Sequence, residues 1–172
     1  MIQDISPYRL DMAYRGTAPA PDDCFFSFRG EDVLLRDMGD GHRSLPSFRD
    51  LGHPAGKMES RAVFLFRAGR EPVYLLGQEV NGCRGLGYFP ICELKDVLPE
   101  WAFFAGATAL HLSRWYEGNR YCGRCGGRME RKPGQRTLAC PECGNTVYPG
   151  IAPVVMVAVT DGDRLLMTKY AD

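Results

Sequence analysis

The chain has 172 residues, 45% apolar content and a formal net charge of zero, which suits one large or two small domains with a sizeable core. No run reaches the roughly 18 to 20 apolar residues of a membrane helix: Trp101 to Leu110 stops at His111, and Pro153 to Val159 stops at Asp161. The opening Met-Ile-Gln-Asp-Ile-Ser-Pro is too polar for a secretory signal, so a cytoplasmic address is expected, with no membrane partner.

The first hundred residues are short apolar runs punctuated by Gly, Asp and Pro, a pattern of strands. Cys24 to Phe28 and Val33 to Arg36 flank Arg-Gly-Glu-Asp and predict one hairpin. Ala62 to Phe66 and Val73 to Leu76, around a loop containing Gly69, predict a second. Met38 to Glu59 is rich in Gly, Asp, His, Pro and Ser and reads as irregular connection. No internal repeat or low-complexity tract is present. Cys24, Cys83 and Cys92 have no cysteine close by and read as free thiols acting as small hydrophobes.

Pro99-Glu100 predicts a helix start. Trp101, Phe104, Ala105, Thr108, Leu112, Trp115 and Tyr116 then recur at spacings of three and four, and Gly118-Asn119 ends the run. Such a stripe belongs to a core or a subunit contact. His111 on this helix reads as a surface or satisfied core histidine rather than a metal ligand.

Directly after the helix comes Cys122-x2-Cys125-x14-Cys140-x2-Cys143. Zinc takes four thiolates at about 2.3 Å, and a CxxC turn sets two sulfurs on one edge of that tetrahedron. Gly126 and Gly144 follow the second cysteine of each pair, where a tight turn needs positive φ. Arg128 to Arg131 and Arg136 to Ala139 predict two strands turned by Lys132-Pro133-Gly134-Gln135. The competing reading is a pair of redox CxxC motifs, which needs a βαβ context that this sequence lacks. Seven cysteines, with two tight pairs among them, fit a metal site in a reducing compartment better than a disulfide framework. Four sulfurs leave zinc no open position, so the expected role is structural.

Charge is uneven along the chain. Residues 1 to 113 carry 12 Lys+Arg against 15 Asp+Glu, whereas residues 114 to 150 carry 7 against 3. Arg114, Arg120, Arg124, Arg128, Arg131, Lys132 and Arg136 make the cysteine segment the basic one. Two readings follow: a nucleic-acid or phosphate contact, or an offset to the net −2 of four thiolates and one Zn²⁺.

Beyond Tyr148-Pro149-Gly150-Ile151-Ala152-Pro153, the runs Val154 to Thr160 and Arg164 to Lys169 flank Asp161-Gly162-Asp163 and predict a hairpin. A lone hairpin is marginal in water, so this end reads as the opening of a further domain. The organisation expected is α+β. A β-rich domain over residues 1–98, a linking helix over 99–119 and a four-cysteine ribbon over 120–147 precede that incomplete unit at 148–172.

The run from Leu110 through Tyr121-Cys-Gly-Arg-Cys-Gly, followed by Cys-Pro-Glu-Cys-Gly-Asn-Thr-Val-Tyr-Pro-Gly-Ile-Ala-Pro, resembles the zinc-ribbon Nudix NADH pyrophosphatases. The resemblance is close over Trp101 to Lys169 and only general before it. It implies a β-rich N-terminal domain, a zinc ribbon, a Nudix domain and a homodimer. The implied activity is cleavage of the NADH pyrophosphate to AMP and reduced nicotinamide mononucleotide, in some members also removal of NAD caps from RNA. It further implies that Tyr148, before proline in Tyr-Pro-x-Ile-Ala-Pro, contributes to the substrate pocket; packing between ribbon and hairpin is the alternative. The family's Nudix box holds Mg²⁺ or Mn²⁺ on glutamates, and this sequence contains no Glu-Glu dipeptide. The chain is therefore expected to be truncated before that box and inactive by itself, with no catalytic residue to assign. The alternative is a zinc-ribbon module that binds nucleic acid or protein.

Overall fold

Strand-forming residues in short runs build two small sheets with a long helix against them. The computed structural model describes residues 4–39, 41–52, 61–98, 100–151 and 155–168. The first sheet takes β1 (Leu10–Asp11), β2 (Cys24–Phe26), β6 (Ala62–Ala68) and β7 (Glu71–Leu76), in the spatial order β1-β6-β7-β2. The second sheet is centred on β4 (Asp32–Asp37). Along β4 lie β3 (Phe28–Arg29), β5 (Arg43–Ser44) and, over most of its length, β8 (Leu86–Pro90).

The hairpin predicted over Ala62 to Leu76 is present as β6 and β7, antiparallel and turned at Gly69 with φ of 63°. The hairpin predicted over Cys24 to Arg36 is only half correct. Phe28 and Arg29 do pair antiparallel with Val33 and Asp32, but Cys24 to Phe26 run parallel to Val73 to Leu75 in the other sheet. The chain changes sheets at Ser27. That residue is fully buried, and its hydroxyl donates to the Gln78 carbonyl at 2.9 Å and lies 3.0 Å from the Tyr88 hydroxyl. These bonds satisfy a polar side chain at the crossing, where burial would otherwise leave it unpaired.

Among its described residues the connection predicted to be irregular holds β5 and a 3-10 turn over Phe48–Leu51. The later part of that connection, residues 53–60, lies outside the described residues. Ser47 starts the turn, its N–H and hydroxyl both donating to the Asp50 carboxylate at 2.8 and 2.9 Å. Asp50 is held below the usual carboxylate range. Burial opposes that shift, and the Ser47 bonds and Arg36 outweigh it.

Alternation along β4 divides the core. Val33 and Leu35 point into the cluster beneath the helix with Phe26, Leu65, Phe66 and Leu75, while Leu34 joins Phe25, Phe48, Phe64 and Tyr74 on the opposite face. After a short α1 (Leu94–Val97) comes α2 (Glu100–Gly118), matching the predicted helix; Pro99 lies outside the described residues. The face that α2 buries keeps Ala105 and Leu112 of the predicted stripe but otherwise differs from it. Ala102, Ala105, Gly106, Ala109 and Leu112 lie inward, and Trp101, Phe104, Thr108, Trp115 and Tyr116 are half-buried at the flanks. Small residues let the helix axis approach the sheet, and the larger rings cover the seam.

Of the final predicted hairpin only the turn and its two flanking pairs form, as β12 (Thr160–Asp161) and β13 (Arg164–Leu165) turned at Gly162; residues 155–159 and 166–168, predicted as strand, are irregular. Val154 and Lys169, the outermost residues of that prediction, lie outside the described residues, as do 152–153 and 170–172. None of the described helices is long and apolar enough to cross a membrane.

Candidate metal centre

Helix α2 carries Trp115 and Tyr116 into the ribbon, where they pack on Cys122, Met129, Leu138 and Cys140. The ribbon's strands are β9 (Glu130–Arg131), β10 (Leu138–Ala139) and β11 (Thr146–Val147), antiparallel in the order β11-β10-β9. They are shorter than the predicted runs, and β11 adds a third strand that the sequence pattern does not mark.

The two cysteine turns have the same backbone design. In the first, Cys122 N–H donates to Gly127 O at 2.8 Å and Gly126 N–H to Cys122 O at 2.9 Å. In the second, Cys140 N–H donates to Asn145 O at 2.8 Å and Gly144 N–H to Cys140 O at 3.0 Å. Gly126 and Gly144 have φ of 78° and 71°, the left-handed conformation expected of them.

The turns face each other so that Cys122 Sγ lies 3.6 Å from Cys143 Sγ and Cys125 Sγ 3.4 Å from Cys140 Sγ. All four sulfurs fall within 4.8 Å of one another. A disulfide needs about 2.05 Å, so none of these contacts is one. A zinc ion bonded to sulfur at about 2.3 Å requires sulfur pairs about 3.8 Å apart, and the cluster has that size. Zinc bound here by Cys122, Cys125, Cys140 and Cys143 would supply a closed four-thiolate crosslink between the two turns.

Neighbouring polar groups tune the sulfurs. The Arg124 N–H points at Cys122 Sγ at 3.4 Å and Asn145 Nδ2 at 3.5 Å. Backbone N–H groups of Arg124 and Cys125, with Cys143 and Asn145, bring the Cys122 thiol down to about 6. At Cys125 the Gly127 N–H favours the thiolate, but the crowding of Cys140, Cys143 and Cys122 prevails and pushes it up to about 12. The cluster thus favours some thiolates and resists a full set until a cation enters. Sequence reasoning misses Asn145; its place directly after Gly144 is the one local signal for it.

The residue range 119–148 matches the family described as the NADH pyrophosphatase zinc ribbon domain. This ribbon is an NADH pyrophosphatase-type zinc ribbon. The chain is 32% identical over 143 residues to the NAD-capped RNA hydrolase NudC of Deinococcus radiodurans, covering 83% of this chain and 48% of that protein. It is 35% identical over 103 residues to the NudC of Stutzerimonas stutzeri and 36% over 105 residues to that of Pseudomonas fluorescens strain Pf-5, covering 58% of this chain and 36% of each relative. The chain thus spans about half the length, or less, of the relatives it matches.

The other predicted residues are placed differently around this NudC-family ribbon. Tyr148 follows β11 and is 62% exposed, outside the sulfur cluster. His111 lies on α2 with Nε2 3.2 Å from the Gly150 carbonyl oxygen, joining the helix to the segment after the ribbon. The basic side chains divide. Arg114 pairs with Glu31 at 2.8 Å and Arg120 lies 3.8 Å from Glu117. Arg131 Nη1 donates to the Ala62 carbonyl at 3.1 Å, and Arg136 Nη2 donates to that of Leu65. Cys24, Cys83 and Cys92 are free thiols, and burial is the main cause that raises Cys24.

Proposed function

We propose that this chain is the N-terminal and zinc-ribbon part of a Nudix hydrolase that cleaves the pyrophosphate of NADH, NAD or NAD-capped RNA. The observation that carries the reading is the convergence of Cys122, Cys125, Cys140 and Cys143 in a ribbon of this family, in a chain similar to NAD-capped RNA hydrolases. Zinc in this site is structural, because four sulfurs leave no position for water or phosphate. It braces the segment that leads into Tyr148, which we assign to the wall of the substrate pocket. Mg²⁺ or Mn²⁺ and the catalytic glutamates belong to the Nudix domain of the whole protein. The ribbon and helix supply contacts of a homodimer, and a reducing cytoplasm keeps the thiols available for metal.

The test compares this chain with a gene product extended by the roughly 100 or more residues of a complete domain. Nicotinamide mononucleotide release from NADH is measured with Mg²⁺ or Mn²⁺. Activity in the extended protein alone supports the reading, and an extended product that encodes no Nudix box defeats it.

A second reading, a nucleic-acid module, is favoured by Arg124, Arg128 and Lys132, for which no ion pair is recorded among the described residues. Phosphate contacts make affinity fall steeply with salt. Titrating single-stranded RNA between about 50 and about 200 mM salt, a range over which counterion release is pronounced, decides it: a flat or absent response removes this reading.

A further inference from the structure

The strand β6 is covered unevenly. On one side it pairs with β7 along its length, but on the other β1 reaches only Ala68 and Arg67, through Leu10 and Asp11. Among the described residues no strand lies beside Ala62 to Phe66 on that side. The ladder also shifts there: Phe64 pairs with Tyr74 and Phe66 with Val73, so Leu65 is an extra residue of β6 in a bulge. Bare strand edges of this kind leave backbone groups unsatisfied and invite pairing with other chains.

The tip of the zinc ribbon fills this gap. Arg131 holds the Ala62 carbonyl and Arg136 the carbonyl of the bulged Leu65. We propose that the ribbon is a metal-dependent cap on the open edge of β6, with Arg131 and Arg136 as its positioning residues. Zinc in the four-thiolate site keeps both guanidinium groups on the strand, and loss of zinc releases them.

Two physical arguments support the coupling. The Arg136 position is costly in isolation: its Nε is buried without a partner, and among the described residues no carboxylate contributes to its electrostatics. Its neighbours are the rings of Tyr14, with the centroid at 5.8 Å, and Tyr116, whose phenol burial pushes up to about 12 and so keeps neutral. Burial accordingly pulls the Arg136 pKa down. A cation in such a place must be held by the scaffold that carries it. That scaffold is small. Of its buried members Cys122, Met129, Leu138 and Cys140, two are the proposed ligands, so without metal it rests on Met129 and Leu138 and on the half-buried Trp115, Tyr116 and Val147 packed against them.

The inference goes beyond the enzymatic reading, since it needs no hydrolase activity. Hydrogen–deuterium exchange of the full chain tests it, comparing zinc-loaded wild type, chelator-treated wild type, the Arg131→Ala/Arg136→Ala variant and Arg136→Lys. Zinc removal is expected to speed exchange across residues 62–66 by about ten-fold as well as freeing ribbon amides. The double variant should show the same gain at 62–66 while keeping one zinc and a protected ribbon, and Arg136→Lys should recover part of the protection. By linkage, the double variant also binds zinc more weakly, by the factor at which zinc protects the strand, as read by competition with a chromophoric chelator. Unchanged exchange at 62–66 in metal-free wild type, with the ribbon amides exchanging freely, overturns the proposal. A double variant that fails to fold leaves the wild-type and Arg136→Lys arms to decide.

Discussion

Gly106 of α2 sits against Leu94 so closely that a Cβ added to the glycine would lie 2.7 Å from Leu94 Cδ1. Leu94 is fully buried, so its side chain would have to shift within the packed core, and the same Cβ would meet the Phe26 ring in ordinary contact at 3.5 Å. Gly106→Val should therefore destabilise the chain by about 1–3 kcal/mol through overpacking. Gly118→Ala, with nothing within 4 Å of its Cβ, should stay within about 0.5 kcal/mol. Urea unfolding of both variants checks the contrast, and equal stabilities would disprove the close contact between Gly106 of α2 and Leu94 of α1.

Ser27 offers a second measurement. Its hydroxyl is bonded to the Gln78 carbonyl and the Tyr88 hydroxyl, and the Tyr88 hydroxyl accepts from the Val80 N–H at 2.9 Å. Ser27→Ala and Tyr88→Phe should each cost about 1–3 kcal/mol, because each leaves part-buried polar groups unpaired. A double-mutant cycle should reveal coupling between them; additive losses would mean the two hydroxyls act independently.

Cys140→Ser removes a buried ligand from the cluster. Zinc content should fall from about one per chain to near zero, and the ribbon should unfold while most of the N-terminal sheet remains. Circular dichroism and metal analysis follow the two events. A folded, reduced wild-type sample holding no zinc would contradict the assignment of the site.

Metal binding should also release protons. Cys125 is pushed up to about 12 by its sulfur neighbours, so near neutral pH it carries a proton that zinc must displace. Cys122, brought down to about 6, is already mostly thiolate there and regains its proton only as pH falls through that value. Zinc affinity should therefore weaken on acidification, most steeply once Cys122 also protonates. Calorimetry in buffers of different ionisation enthalpy measures the release, and affinity independent of pH between about 5 and about 8 would refute it.

By itself the sequence determined what short spacing encodes. The two CxxC turns with Gly126 and Gly144, the helix ending at Gly118, and the hairpin at Gly69 each need contacts only a few residues apart. Their geometry follows from local backbone chemistry. Tertiary structure alone decided the parallel pairing of Cys24 to Phe26 with Val73 to Leu75, the sheet change at Ser27, the small-residue face of α2 and the docking of Arg131 and Arg136 on β6. Most of these join residues tens of positions apart. Their selection depends on competing packings of the whole chain, and no local pattern ranks those packings.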